Sequence, residues 1–107
     1  MARAHTQILK WTAPPDTDVV GYNFRATPAT DPMNYSVDEV NVGNVTQVDM
    51  GQLANDGYTP LIDADGNFNL GVSALDDIGN ESDIAVKPDV PLDFVPPGPP
   101  TDLQVLP

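Results

Sequence analysis

Residues 9–26 read LKWTAPPDTDVVGYNFRA. Leu9 and Trp11 fall on one side of an extended chain, with Ile8 and Lys10 on the other. Pro14 and Pro15 lack backbone N–H donors, and Asp16 and Asp18 favour turn conformations, so Ala13–Asp18 turns the chain. After the turn the period of two resumes: Tyr22, Phe24 and Ala26 share one face, and Asn23 and Arg25 take the other. Two alternating stretches joined by a proline turn are strands, and the fold class they set is all-β.

Composition points the same way. The chain has 107 residues, enough for one domain with one core. Twelve prolines and eight glycines disfavour long helices. The net charge is -12, carried by Asp far more than Glu, and Asp belongs in turns between short strands. So acidic a surface repels nucleic acid and anionic membranes, and suits a soluble or salt-adapted protein. There is no cysteine, which excludes a disulfide framework and any thiolate metal site. No apolar run approaches the length that spans a bilayer, and the opening MARAHTQILKW alternates without the continuous apolar core of a signal peptide.

Further strands are expected at Ala4–Thr12, around Val37–Val42, at Val45–Leu53 with a bend at Gly51, and at Asn67–Leu75. Ile84–Val90 is the last strand, interrupted by Pro88 and therefore an edge strand or a broken one. Asp56-Gly57 and Asp65-Gly66 mark turns. Val95–Pro100 (VPPGPP) is a stiff linker, and Thr101–Pro107 alternates once more through Leu103 and Val105. The organisation is therefore a sandwich over 1–94 and a linker plus strand-like segment over 95–107. Its expected core is Leu9, Trp11, Tyr22, Phe24, Val48, Met50, Leu53, Phe68, Leu70, Val72 and Ala74.

The pattern resembles the fibronectin type III family, in its bacterial style. Leu9, Trp11, Pro14, Pro15, Gly21, Tyr22 and Phe24 are similar to that family's second and third strands. Val48, Met50 and Leu53 are similar to a later strand, and NFNLGVSALDDIGNES to the sixth strand and its hairpin. The resemblance spans roughly residues 4–90 and implies an Ig-like sandwich of about seven strands. Three departures stand out. Phe68 occupies the place of a tyrosine whose hydroxyl ties down the preceding loop, the segment Ala54–Asn67 is long, and the family's first strand has no counterpart before Leu9. The C-terminal PPGPPTDLQVLP reads like the start of such a domain. Leu103 and Val105 are therefore candidates for a completing strand, folded back or exchanged between two copies as a homodimer, or for the start of a following repeat.

Chemistry-bearing residues are sparse. Asp76 and Asp77 sit in the expected hairpin, where Gly79 and Asn80 supply turn conformations, and adjacent residues at a strand end point apart rather than forming a catalytic pair. Asp63-Ala64-Asp65-Gly66-Asn67 looks like a calcium loop, but with Gly66 at position 6 of an EF-hand, Leu61 and Val72 fall at positions 1 and 12. Asp63 and Asp65 remain candidates for weak calcium binding. His5 is the one histidine, with no second His or Cys to share a metal. Arg3, Lys10, Arg25 and Lys87 make no phosphate-binding patch. Asn34, Asn44 and Asn80 head glycosylation sequons of the kind that arise by chance in Asn-rich loops. Tyr35 and Tyr58, in expected loops, are candidates for sugar stacking.

The function expected is a non-catalytic structural or interaction module, a spacer or docking domain of a bacterial or phage surface or secreted protein. It needs no cofactor. Its partners are neighbouring domains of a larger chain or a second copy, with no nucleic acid and no membrane insertion. The alternative is a calcium- or carbohydrate-binding accessory module. An enzyme is not expected.

Overall fold

The computed structural model describes residues 2–106. Two antiparallel sheets face each other across one core. β1 (Ile8–Lys10) pairs with β4 (Gln47–Asp49) in the smaller sheet. The larger sheet has the order β3 (Glu39–Gly43), β2 (Val19–Pro28), β5 (Asp65–Asp76), β6 (Ala85–Asp93). The architecture is the expected all-β sandwich, with six strands among the described residues rather than about seven.

The β2–β5 pair is the centre of the large sheet. Its register sets Tyr22 opposite Ala74, Phe24 opposite Val72 and Ala26 opposite Leu70. This is one face of the period-two pattern, now turned inward. Phe24, Leu61 and Leu70 are essentially sealed from solvent, and Tyr22, Met50 and Phe68 are buried beside them. Leu9, Val48, Leu53 and Val72 pack at half burial around that centre. Trp11 and Ala74 are also only half buried, so the indole lies at the margin of the core. Leu92, in a β6 that runs three residues past the expected end, and Phe94, just after it, complete the core.

Val45–Leu53 is not one strand. After three residues it becomes α1 (Met50–Asn55). Asp49 caps this turn and a half: its side chain accepts from Gly51 N at 3.0 Å and from Gln7 N at 3.1 Å. A Cβ on Gly51 would lie 1.7 Å from the His5 carbonyl oxygen, so only glycine lets the segment before β1 cross the helix here. Met50, Leu53 and Ala54 still point inward, because spacings of three and four bring them to one face of a helix. A 3-10 turn, Thr59–Leu61, follows and seals Leu61 in the core.

Pro88 sits on an edge strand, as expected. The register slips between Phe68 and Leu70, Asp89 takes φ 60°, and Asn69 Oδ1 accepts from Asp89 N at 3.2 Å in place of the lost ladder bond.

Among the described residues, the C-terminal segment adds no strand within its own chain. Leu103 is 84% exposed and Val105 100%. Pro96, Pro97, Pro99 and Pro100 fix φ and lack N–H donors, so the arm runs on extended from Phe94 instead of turning back. The radius of gyration, 16.8 Å, exceeds the roughly 13 Å of a compact chain this long, and the longest dimension is 64 Å.

Candidate functional site

The hairpin acids shape a turn. Asp76 accepts from Asn80 N at 2.8 Å, Asn80 Nδ2 at 2.9 Å and Ile78 N at 3.1 Å, while Gly79 supplies φ 97°. The Asn80 side-chain amide, then backbone N–H groups, hold its carboxyl below the ordinary value. Asp77, next to it, is exposed.

The outer face of the large sheet carries an ionic cluster that the alternating pattern did not disclose. Asn23, Arg25 and Thr27 point away from the core, yet all three are buried, Arg25 to 2%. The cover comes from the loop before β3, and Tyr35 and Val37 lie in it. Arg25 Nη1 donates to Glu81 Oε2 at 2.7 Å, Nη2 to Glu39 Oε2 at 3.2 Å, and Nε to the Val37 carbonyl at 3.2 Å. Its guanidinium lies 5.4 Å from the Tyr35 ring centroid. Ser73 Oγ and Asn23 Nδ2 also donate to Glu81. Arg25, through its hydrogen bond first, drives the Glu81 carboxyl below its ordinary value against the opposing effect of burial. The cluster ties the β5–β6 hairpin to β2 and β3. Gly71 makes room for the cover, since a Cβ there would meet Ile84 Cγ2 at 2.6 Å and Met33 Sδ at 3.0 Å.

The two loop tyrosines form no common platform. Tyr58 packs edge-on against Phe24, on the core side of β2, whereas Tyr35 covers Arg25 on the opposite face. The Tyr58 hydroxyl accepts from Ala26 N at 3.1 Å and donates to the Asp38 carbonyl at 2.6 Å. Those two residues would pair next beyond Arg25 and Glu39, so the hydroxyl bridges the ladder where β3 leaves it. Burial pushes its pKa up from 10.0 to about 12. Tyr58 makes this bridge from the segment between α1 and the 3-10 turn. The Tyr35 hydroxyl donates to the Ser82 carbonyl at 2.8 Å.

Asp63 takes φ 52° in the turn before β5, and Asp65 lies opposite Asp93 in the β5–β6 register. Both candidates are exposed. Among the described residues there is no group of three or more His, Asp or Glu side chains placed to hold a metal. His5 joins the segment before β1 to the end of β6: its ring packs 5.3 Å from Phe94, and Nε2 lies 3.0 Å from the Asp93 carbonyl.

A groove of about 510 Å³ lies between the segment after β1 and the β2–β5–β6 part of the large sheet. Trp11, Tyr22, Val72, Ala74 and Ala85 give it an apolar floor, and Asp16, Asp18, Asp76 and Asp83 stand around it. The small sheet has two strands and the large one four, and no residue of β1 or β4 lines the groove. Ala85 pairs with Val72 and Lys87 with Leu70, so both belong to the core-facing side of β6, yet both are exposed. The indole Nε1 of Trp11, at the groove wall, is buried without a hydrogen-bond partner.

β1 leads into this groove through Trp11 and Thr12, which follow it and line the groove. Trp11 N donates to the Thr46 carbonyl and Met50 N to the Gln7 carbonyl, so residues 7, 9 and 11 direct their backbone groups toward β4. Ile8 and Lys10 direct theirs outward, where no strand pairs with them among the described residues.

Comparison with family models, with curated proteins and with solved structures finds no match.

Proposed function

We propose that this chain is a non-catalytic structural or docking module of the fibronectin type III kind, carried in a bacterial or phage surface or secreted protein. The residues that carry the resemblance support the family: Leu9, Phe24, Val48, Met50 and Leu70, from four separate segments, converge on one core. The polar groups support the absence of catalysis in a positive way. Asp76, Glu81, Arg25 and Tyr58, the strongest polar constellations, are each engaged in fastening one backbone segment to another. The observation that carries the docking role is the unpaired edge of β1 beside an apolar groove. An edge of free N–H and C=O groups next to uncovered apolar side chains is the surface to which an extended protein segment adds.

The test is thermal melting with calcium or with EDTA, together with binding to a panel of oligosaccharides. The docking reading expects melting temperatures within about a degree of each other and no saturable sugar binding. A rise of several degrees in millimolar calcium, lost in Asp63→Asn/Asp65→Asn, would instead establish a calcium-binding accessory module. Saturable binding of an oligosaccharide would likewise replace the docking reading.

A further inference from the structure

We infer that the gap beside β1 is the seat for segment Thr101–Leu106 of a second copy of this chain, which adds as a third strand of the small sheet. The inference rests on the docking reading and names the partner. Three observations meet here. The seat is geometrically specific: Ile8 and Lys10 offer outward backbone groups, and a strand laid along them would cover Ala85 and Lys87, the exposed core-facing residues of β6. Trp11, which lines the groove next to this edge, is only half buried. The donor is present on every copy: Leu103 and Val105 alternate at strand spacing, and they stand 84% and 100% exposed.

The position of the tail, exposed and away from its own sandwich, favours addition between chains over folding back. Residues 95–100 extend on the order of 20 Å at about 3.1 Å per residue. The arm leaves the sandwich just after Phe94 and holds its tail clear of the domain that made it, within range of a neighbour. Contacts of this kind are head-to-tail. Each copy offers one tail and one seat, so reciprocal exchange closes a dimer and one-way donation continues as a chain.

Charge gives the association a signature. Each copy carries -12, and Asp16, Asp18, Asp76 and Asp83 surround the groove. Two such copies repel, and salt screens the repulsion. Association of identical copies therefore strengthens with ionic strength, whereas capture of a basic foreign peptide would weaken.

The test measures particle mass by sedimentation over tens to hundreds of micromolar chain, from about 0.05 to 0.5 M salt. The wild type is expected to exceed the monomer mass of 11.4 kDa, more so at high salt. Leu103→Glu/Val105→Glu removes the tail and leaves the melting temperature unchanged, since both residues are exposed in the monomer. Lys10→Pro removes an outward donor of the seat and no ladder bond to β4. Each variant alone is expected to be monomeric, and a mixture of the two to form a one-to-one complex, one supplying the seat and the other the tail. A wild type that stays monomeric throughout overturns the inference, and so does association that survives Leu103→Glu/Val105→Glu or weakens with salt. A monomeric result leaves the docking reading standing, because that reading is judged separately by calcium and sugar binding.

Discussion

Replacing Glu81 by Gln tests whether the ionic cluster on the outer face holds the hairpin to the sheet. The glutamine keeps an oxygen near Arg25 Nη1 but removes the charge from a contact that is 2.7 Å long in the parent. A hydrogen bond to a charged group contributes about 1.5–3 kcal/mol and a neutral one about 0.5–1.5, so the charge itself is worth roughly 1–1.5 kcal/mol. Two features set the size. The Glu81 side chain is 23% exposed, which weakens the attraction, and Glu39 remains 3.2 Å from Arg25 but at 50% exposure, so it compensates in part. Arg25, 2% exposed, cannot move into water to recover its hydration. The expected loss is about 1–1.5 kcal/mol. In urea, with a slope near 1 kcal/mol per molar, the unfolding midpoint read from Trp11 fluorescence falls by about 1–1.5 M.

The pH dependence of that loss identifies its cause. The Glu81 carboxyl is held below its ordinary 4.5 in the folded protein. Its stabilisation is therefore complete above the unfolded value, near 4.5, and disappears as pH falls through the depressed folded value. Parent and variant should differ fully at neutral pH and converge in acid, where a protonated Glu81 resembles glutamine. A midpoint shift under about 0.2 M at pH 7 would refute the reasoning, and so would a gap that persists unchanged below the folded value.

Tyr58→Phe removes the hydroxyl between Ala26 N and the Asp38 carbonyl and should cost about 1–2 kcal/mol in denaturant melts, with β3 amides exchanging faster. Because the folded pKa is raised from 10.0 to about 12, the parent should lose stability as pH rises through that interval, and Tyr58→Phe should lose less. Gly51→Ala drives a Cβ to 1.7 Å from the His5 carbonyl oxygen and should destabilise by about 1–3 kcal/mol, whereas Gly98→Ala, with open space around it, should change the melting temperature little. Phe24→Ala, at a site with 0% exposure, should cost about 3–5 kcal/mol, and Trp11→Ala at the groove margin clearly less; equal losses would contradict the placement of Trp11 outside the sealed core.

How far the sequence discloses this depends on which interactions have a period. Tyr22, Phe24, Phe68 and Leu70 announce themselves by alternation, because a strand places every second residue on the core. Met50 and Leu53 are expected in the core as part of one strand, but both lie in the helix that follows its first part. The assignment survives because spacings of two and three both reach the core side here, and the local signal for the helix, Asp49 as its cap, lies inside an apolar alternation that reads as strand. Arg25 escapes the pattern altogether. Alternation marks it as outward, and outward is solvent unless a loop covers it; the hint lay in Met33, Tyr35 and Val37, alternating within a segment that looks like a loop. Glu81, 56 residues away, carries no local mark of its partner. Tyr58 was a sugar candidate for the same reason, since its bridge to Ala26 spans 32 residues.

The two faces of the large sheet give the uncovered gap its meaning. On the outer face, where strands of a sandwich ordinarily meet water, the chain lays a loop over β2, fills the space with Met33, Ile84 and a glycine, and satisfies a buried guanidinium with two carboxylates. On the inner face, where burial is the ordinary state, Ala85 and Lys87 of β6 stand exposed and Trp11 Nε1 has no partner. Leu103, Val105 and Leu106 stand exposed on the arm. Under the strand addition proposed above, the uncovered gap and this apolar segment belong to one arrangement. Its energetic consequence is that filling the gap between copies buries apolar surface on both partners at once, while the separate sandwich already holds its sealed centre around Phe24, Leu61 and Leu70.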